Sequence, residues 1–131
     1  MNNKTSALNF PSLWGGYVNN GNLNGVLDLY NEDFVLTPTF SPTVVNTADG
    51  LQSYFDRLAS REGLEVELHD NTIGCQNITE ENYIVTGIYS FKFLVDGALL
   101  AFPSRFTFVI NLSLDKPILH HHSSQIPRNL S

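Results

Sequence analysis

The chain has 131 residues, 42% of them hydrophobic, which suits one domain with a buried core. Its formal charge of −6 and its seven scattered Lys and Arg argue against a nucleic-acid surface. No run approaches the roughly 18 apolar residues that a membrane span needs. Cys75 is alone, so no internal disulfide can form, and the first ten residues show no apolar signal-peptide core. The expectation is a cytoplasmic protein, or a periplasmic one if a leader has been removed, with no nucleic-acid and no membrane partner.

In chain order, the polar residues 1–9 read as a flexible N-terminus, 10–127 as a single domain and 128–131 as a tail. From Pro11, a residue tolerated in a first helical turn, Leu13, Trp14, Tyr17 and Val18 fall at helical spacing. Asn19-Asn20-Gly21-Asn22 breaks this helix, and Leu23, Val26, Leu27 and Tyr30 mark a second, short one. Phe34 to Phe40 reads as a short strand whose Pro38 suggests an edge or an irregular exit. Thr47 is placed to N-cap a third helix, on which Leu51, Tyr54, Phe55 and Leu58 form an apolar stripe that stops by Gly63.

From Leu64 the hydrophobic period changes to two. Strands are predicted over 64–70, 83–93, 99–110 and 118–124, with Asp96-Gly97 as a two-residue hairpin turn. Helices at the front and antiparallel strands behind make an α+β fold. A strongly curved antiparallel sheet wrapped around N-terminal helices would form a cone with an interior cavity. Order and length resemble the nuclear transport factor 2-like fold. The aromatic residues Tyr83, Tyr89, Phe91, Phe93, Phe102, Phe106 and Phe108 are expected to alternate, one set filling the cone. The other set would leave an apolar outer sheet face and predicts a homodimer.

Three of the four histidines stand together in Ile118-Leu-His-His-His-Ser-Ser124. Straight alternation along a strand puts Ile118, His120, His122 and Ser124 on one face and Leu119, His121 and Ser123 on the other. The polar stripe of the first face either meets water or lines a pocket. His120 and His122 could offer two nitrogens to zinc, but a catalytic zinc needs about three protein ligands, and His69 is the one histidine left. Otherwise they bond buried polar groups, or His122 serves as a base or proton relay near neutrality. Arg105 shares a face with Thr107 and Val109. It must find a carboxylate or line a wet cavity, where it could hold bicarbonate or a carboxylate ligand. Tyr54 reads as core by its stripe, and Ser124, Thr39 and Thr37 as ordinary strand-end hydroxyls.

The segments Leu-Tyr-Asn-Glu-Asp-Phe (29–34), Thr-Phe-Ser-Pro (39–42), Ser-Tyr-Phe-Asp (53–56), Ser-Arg-Phe-Thr-Phe-Val (104–109) and His-His-His-Ser-Ser-Gln-Ile-Pro (120–127) resemble the association domain of calcium/calmodulin-dependent kinase II. The triple-His, double-Ser ending more narrowly resembles iota-class carbonic anhydrases, which work without a metal ion. One departure is Asn-Gly-Asn-Leu-Asn (20–24), where a Gly-Asp-rich connection is usual; it touches no candidate residue.

That resemblance implies reversible hydration of carbon dioxide to bicarbonate, with no cofactor and no metal. A Thr, a Tyr, a His and a Ser would converge in the cone: Tyr54, His122, Ser124 and Thr39, with Thr37 in reserve. Arg105, His120 and Thr37 would bind substrate. The alternative is a small-ligand-binding or oligomerisation domain that performs no reaction, its cavity holding an anionic ligand. An isomerase or polyketide cyclase would instead want an acidic base in the pocket, and Glu65, Glu67 and Asp70 look peripheral.

Overall fold

The computed structural model describes residues 3–127. Helix α1 (Asn3–Asn19) and the short α2 (Leu23–Leu27) precede strand β1 (Tyr30–Thr37) and helix α3 (Ala48–Ala59). Strands β2 (Glu65–Leu68), β3 (Gly74–Thr79), β4 (Asn82–Val95), β5 (Ala98–Asn111) and β6 (Ile118–Gln125) follow. They form one six-stranded curved sheet in the order β1-β6-β5-β4-β2, with β3 also on β4; only the β1–β6 pair is parallel. The α+β expectation therefore stands, and β3 is an addition. Its residues are mostly exposed and do not alternate, so no period of two marks it.

Helix α1 starts well before Pro11, so residues 3–9 are not a flexible lead. The cause is packing. Ala7, Phe10 and Trp14 recur at three and four residues and are almost wholly buried. Phe10 and Trp14 meet Phe108 edge to face, and Trp14 stacks on Tyr89. Burial of that stripe outweighs the backbone hydrogen bond that Pro11 forfeits in mid-helix. Residues 1–2 and the expected tail 128–131 lie outside the described residues.

Helix α3 begins as expected: the Thr47 hydroxyl accepts from the Gly50 N–H at 3.0 Å. The β4–β5 turn is likewise Asp96-Gly97, both at positive φ (51° and 82°), as a type I′ hairpin requires. This turn sets a long register that pairs Phe91 with Phe102 and Gly87 with Phe106. All seven strand aromatics consequently share the inner face. The expected alternation of the seven is corrected, since none of them lies on the outer face; that face carries Ile84, Thr86, Ile88, Ser90, Lys92 and Leu94 of β4 beside Leu99, Ala101, Pro103, Arg105, Thr107 and Val109 of β5.

Gly87 gives room to the stack of Phe106 on Tyr89, whose ring centroids lie 4.6 Å apart. A Cβ there would come within 2.7 Å of Ile73 Cδ1 and 3.0 Å of Phe106 Cζ. Gly87→Ala should therefore destabilise the fold by about 1–3 kcal/mol, read as a lower urea midpoint at unchanged slope. An unshifted midpoint would show that the ring moves freely.

A hydroxyl and imidazole network at a candidate active site

Strand β6 delivers the histidine run to the sheet with one residue too many. Ile110 pairs with Ile118, yet Val109 pairs with His120, so Leu119 is an extra residue at a bulge. Beyond it the alternation is inverted. His121 and Ser123 point inward and are 2% and 3% exposed, while His122 is exposed on the outer face. A straight strand would have put His122 and Ser124 with Ile118 in the cone; the bulge puts them outside. His120 follows them outward, opposite Val35 and Val109. Arg105, between Ile88 and Ser124, is exposed on the same outer side, away from the cavity.

The two threonines separate for a related reason. Thr37 is the last residue of β1 and pairs with His122. Pro38 then removes a ladder N–H and ends the strand, so Thr39 is not bound to the alternation of Thr37. Its hydroxyl turns inward and hydrogen-bonds the Ser123 hydroxyl.

His121 sits among four aromatic side chains, Trp14, Tyr30, Tyr89 and Phe108. Its ring stacks on Phe108 with centroids 4.0 Å apart and meets Trp14 edge to face. Tyr30 Oη lies 2.7 Å from its Nδ1, and Tyr89 Oη 3.0 Å from its Nε2. Tyr89 also donates to Ser123 Oγ at 2.7 Å, and Trp14 Nε1 donates to Tyr30 Oη at 3.2 Å.

Donor bookkeeping gives this chain a direction. Indole nitrogen can only donate, so Tyr30 accepts from Trp14 and keeps its own proton for His121 Nδ1. The network thereby assigns the imidazole proton to Nε2, which donates to Tyr89. Tyr89 donates to Ser123, Ser123 to Thr39, and the Thr39 proton is left for the cavity. Neither Tyr30, Tyr89 nor His121 is charged. Burial pushes both phenols well above their usual range, and burial, helped by His120 and His122, pulls His121 down to about 3.

The inner cavity is bounded by Thr39, Tyr54, Leu58, Tyr89, His121 and Ser123 among others. About 10 Å³ of it is open to the centre of a water molecule, room for a single water. Tyr54 comes from the buried stripe of α3, and its hydroxyl makes no hydrogen bond to another side chain among the described residues. Burial raises it to about 12, tempered by the Phe40 backbone N–H and by Arg57 and Arg61. Beyond Tyr54 and Leu58 lies a second chamber of about 50 Å³, walled also by Phe40, Arg57 and Arg61.

Of the residues expected at the site, Tyr54 and Thr39 meet at the cavity. His122, Ser124, His120, Thr37 and Arg105 do not; His121 and Ser123 stand where His122 and Ser124 were expected. Tyr30, Tyr89 and Trp14 are additions, concealed in the sequence as core aromatics. His69 bonds Ser90 at 2.9 Å, away from the run. Among the described residues no three His, Cys, Asp or Glu side chains converge as metal ligands, and no helix is long and apolar enough to cross a membrane.

Comparison with known proteins agrees with this architecture. A structure from Xanthomonas campestris, provisionally assigned as a calcium/calmodulin-dependent protein kinase II association domain, is 26% identical with a TM-score of 0.81, covering 92% of this chain and 86% of that one. A provisionally assigned dehydratase of the nuclear transport factor 2-like family from Streptomyces avermitilis superposes with a TM-score of 0.76 at 13% identity, covering 95% and 96%. An epoxide hydrolase from Mycobacterium tuberculosis reaches a TM-score of 0.69 at 15% identity, covering 94% and 84%. The last two share the fold alone. No curated protein matches. The model of the calcium/calmodulin-dependent protein kinase II association domain matches residues 4–127, and the chain belongs to that family.

Proposed function

We propose that this chain reversibly hydrates carbon dioxide to bicarbonate by hydroxyl chemistry in the cone. The observation that carries the reading is the convergence of Thr39, Tyr54, His121 and Ser123 on one water-sized cavity. These are the four residue types that the resemblance to iota-class carbonic anhydrases implies.

The chemistry follows from the direction of the network. Water in the inner cavity donates to Thr39 Oγ, and carbon dioxide beside Tyr54 meets the Thr39 proton and the phenol proton. As the water oxygen bonds to carbon, one water proton moves to Thr39 Oγ while the Thr39 proton passes to a carbon dioxide oxygen. Tyr54 donates to the other oxygen, where negative charge grows. The product is carbonic acid, which loses a proton to solvent and leaves as bicarbonate. His121 is no base here. It orients Tyr89, Ser123 and Thr39 so that the terminal donor points at the reactants.

A second reading, an assembly or ligand-binding domain without chemistry, is supported by the family's association-domain description. Stopped-flow hydration with a pH indicator, on chelator-dialysed protein, separates the two. Tyr54→Phe should lower kcat/KM about tenfold to a hundredfold, or about 1.4–2.7 kcal/mol of transition-state stabilisation, with circular dichroism unchanged. A rate no higher than buffer for the unmodified chain would favour the assembly reading.

A further inference from the structure

On α3 and just past its end, Tyr54, Arg57, Leu58 and Arg61 follow one another at three- and four-residue spacing and share one side of the helix. Tyr54 and Leu58 wall both the inner cavity and the outer chamber, so the two arginines flank the approach to the hydroxyl network. Among the described residues neither is engaged by a carboxylate. Arg57 Nη1 donates to Ser53 Oγ at 2.7 Å, and the Arg61 guanidinium lies 5.0 Å from the centre of the Phe93 ring. Lys92, by contrast, is paired with Glu67 at 3.0 Å.

This pattern is unexpected for a chain of charge −6, where carboxylates outnumber bases thirteen to seven. A cation in the last turn of a helix does complement the helix dipole, which accounts for Arg57 by itself. It does not account for Arg61, beyond the Ser60 cap, nor for both groups opening on one chamber. Each guanidinium has five N–H donors in a planar fork, and most of them remain unused here. That fork matches a planar carboxylate-type monoanion.

We propose that the Arg57–Arg61 chamber is an anion-docking vestibule that receives bicarbonate at the mouth of the cavity. The identity of the anion rests on the carbonic anhydrase reading. The vestibule holds the charged partner of the reaction next to Tyr54, whereas neutral carbon dioxide gains nothing from it. A catalyst cannot move the overall equilibrium, so any loss of kcat/KM for bicarbonate must recur in hydration. Direct binding is therefore the decisive readout.

The test titrates sodium bicarbonate against sodium chloride at constant ionic strength, following the arginine Nε–H signals by NMR. Signals of Arg57 and Arg61 should shift saturably. Arg57→Gln and Arg61→Gln should each weaken bicarbonate about fivefold, and Lys116→Gln, remote from the chamber, should not. Equal shifts with chloride alone, or affinities unchanged in both arginine variants, would overturn the vestibule. Hydration without arginine-dependent binding would sink this inference and leave the activity standing. Binding without hydration would keep the vestibule and remove the activity.

Discussion

Urea denaturation should show the fold losing stability as pH drops from 6.5 toward 3, by about 1.4 kcal/mol per unit from His121 alone. The sign follows from the burial that holds this imidazole at about 3 in the folded chain, below the 6.5 of a free histidine. As pH falls through 6.5 the unfolded chain takes up a proton that the folded chain refuses. The contribution of neutral His121 is thus complete above pH 6.5 and is lost progressively toward 3. Between pH 6.5 and 5 this amounts to about 2 kcal/mol, a large share of the 5–15 kcal/mol typical of a domain. His121→Gln isolates the effect, because its amide can accept from Tyr30 and donate to Tyr89 but does not titrate. The variant should be weaker at neutral pH by about 1–3 kcal/mol, having lost the stack on Phe108, and should fall less steeply with acid. Parallel pH slopes for the two proteins would mean that His121 does not carry the acid sensitivity. The same burial decides its chemical role. Charging a group of pKa about 3 at pH 7 would cost about 5 kcal/mol, too much for a resting base.

Where local chemistry determines local geometry, the sequence was a good guide. Thr47 caps α3 through its hydroxyl, and Asp96-Gly97 adopts the positive φ values of a type I′ turn. The shared face of the strand aromatics was also legible, though not by alternation on single strands. A two-residue turn at 96–97 pairs residue 95 with 98, so odd positions on β4 face even positions on β5. Tyr89, Phe91 and Phe93 must then lie beside Phe102, Phe106 and Phe108. The inward histidine was not legible. Which of His121 and His122 enters the cone depends on one extra residue at Leu119, and no residue type near it announces a bulge. Thr39 lay between these cases: Pro38 announced the strand end, but only the fold shows its hydroxyl meeting Ser123. Pro11 misled in the opposite sense. Its cost was visible and the compensating burial of Ala7, Phe10 and Trp14 was not, because that stripe needs the sheet beneath it.

The last expected result concerns the relay as a unit. Thr39→Val and Ser123→Ala should each lower carbon dioxide hydration by about 10²–10³-fold, the size of effect seen when one aligned donor is removed from a developing negative charge. Thr39→Val removes the terminal donor itself. Ser123→Ala leaves Thr39 in place but breaks its link to Tyr89 and His121, so the Thr39 proton is free to turn away from the reactants. Both changes conserve most of the side-chain volume, and folding should survive with a loss of about 1–2 kcal/mol from the unpaired hydroxyls. If the directed chain is what matters, the double variant should be little worse than either single one, since the second change removes a link already without effect. Fully multiplicative losses would instead mean that the two hydroxyls act separately on the substrate. Unchanged rates in both variants would leave Tyr54 as the sole donor and discard the relay. The pairing with Tyr54→Phe is informative for the same reason. Tyr54 stands outside the chain from Trp14 to Thr39, so its loss should multiply with that of Thr39, giving a fall beyond 10³-fold for the pair. That contrast, non-additive within the relay and additive across the cavity, is the kinetic signature of one proton relay through Thr39 and one separate donor, Tyr54, to the growing negative charge.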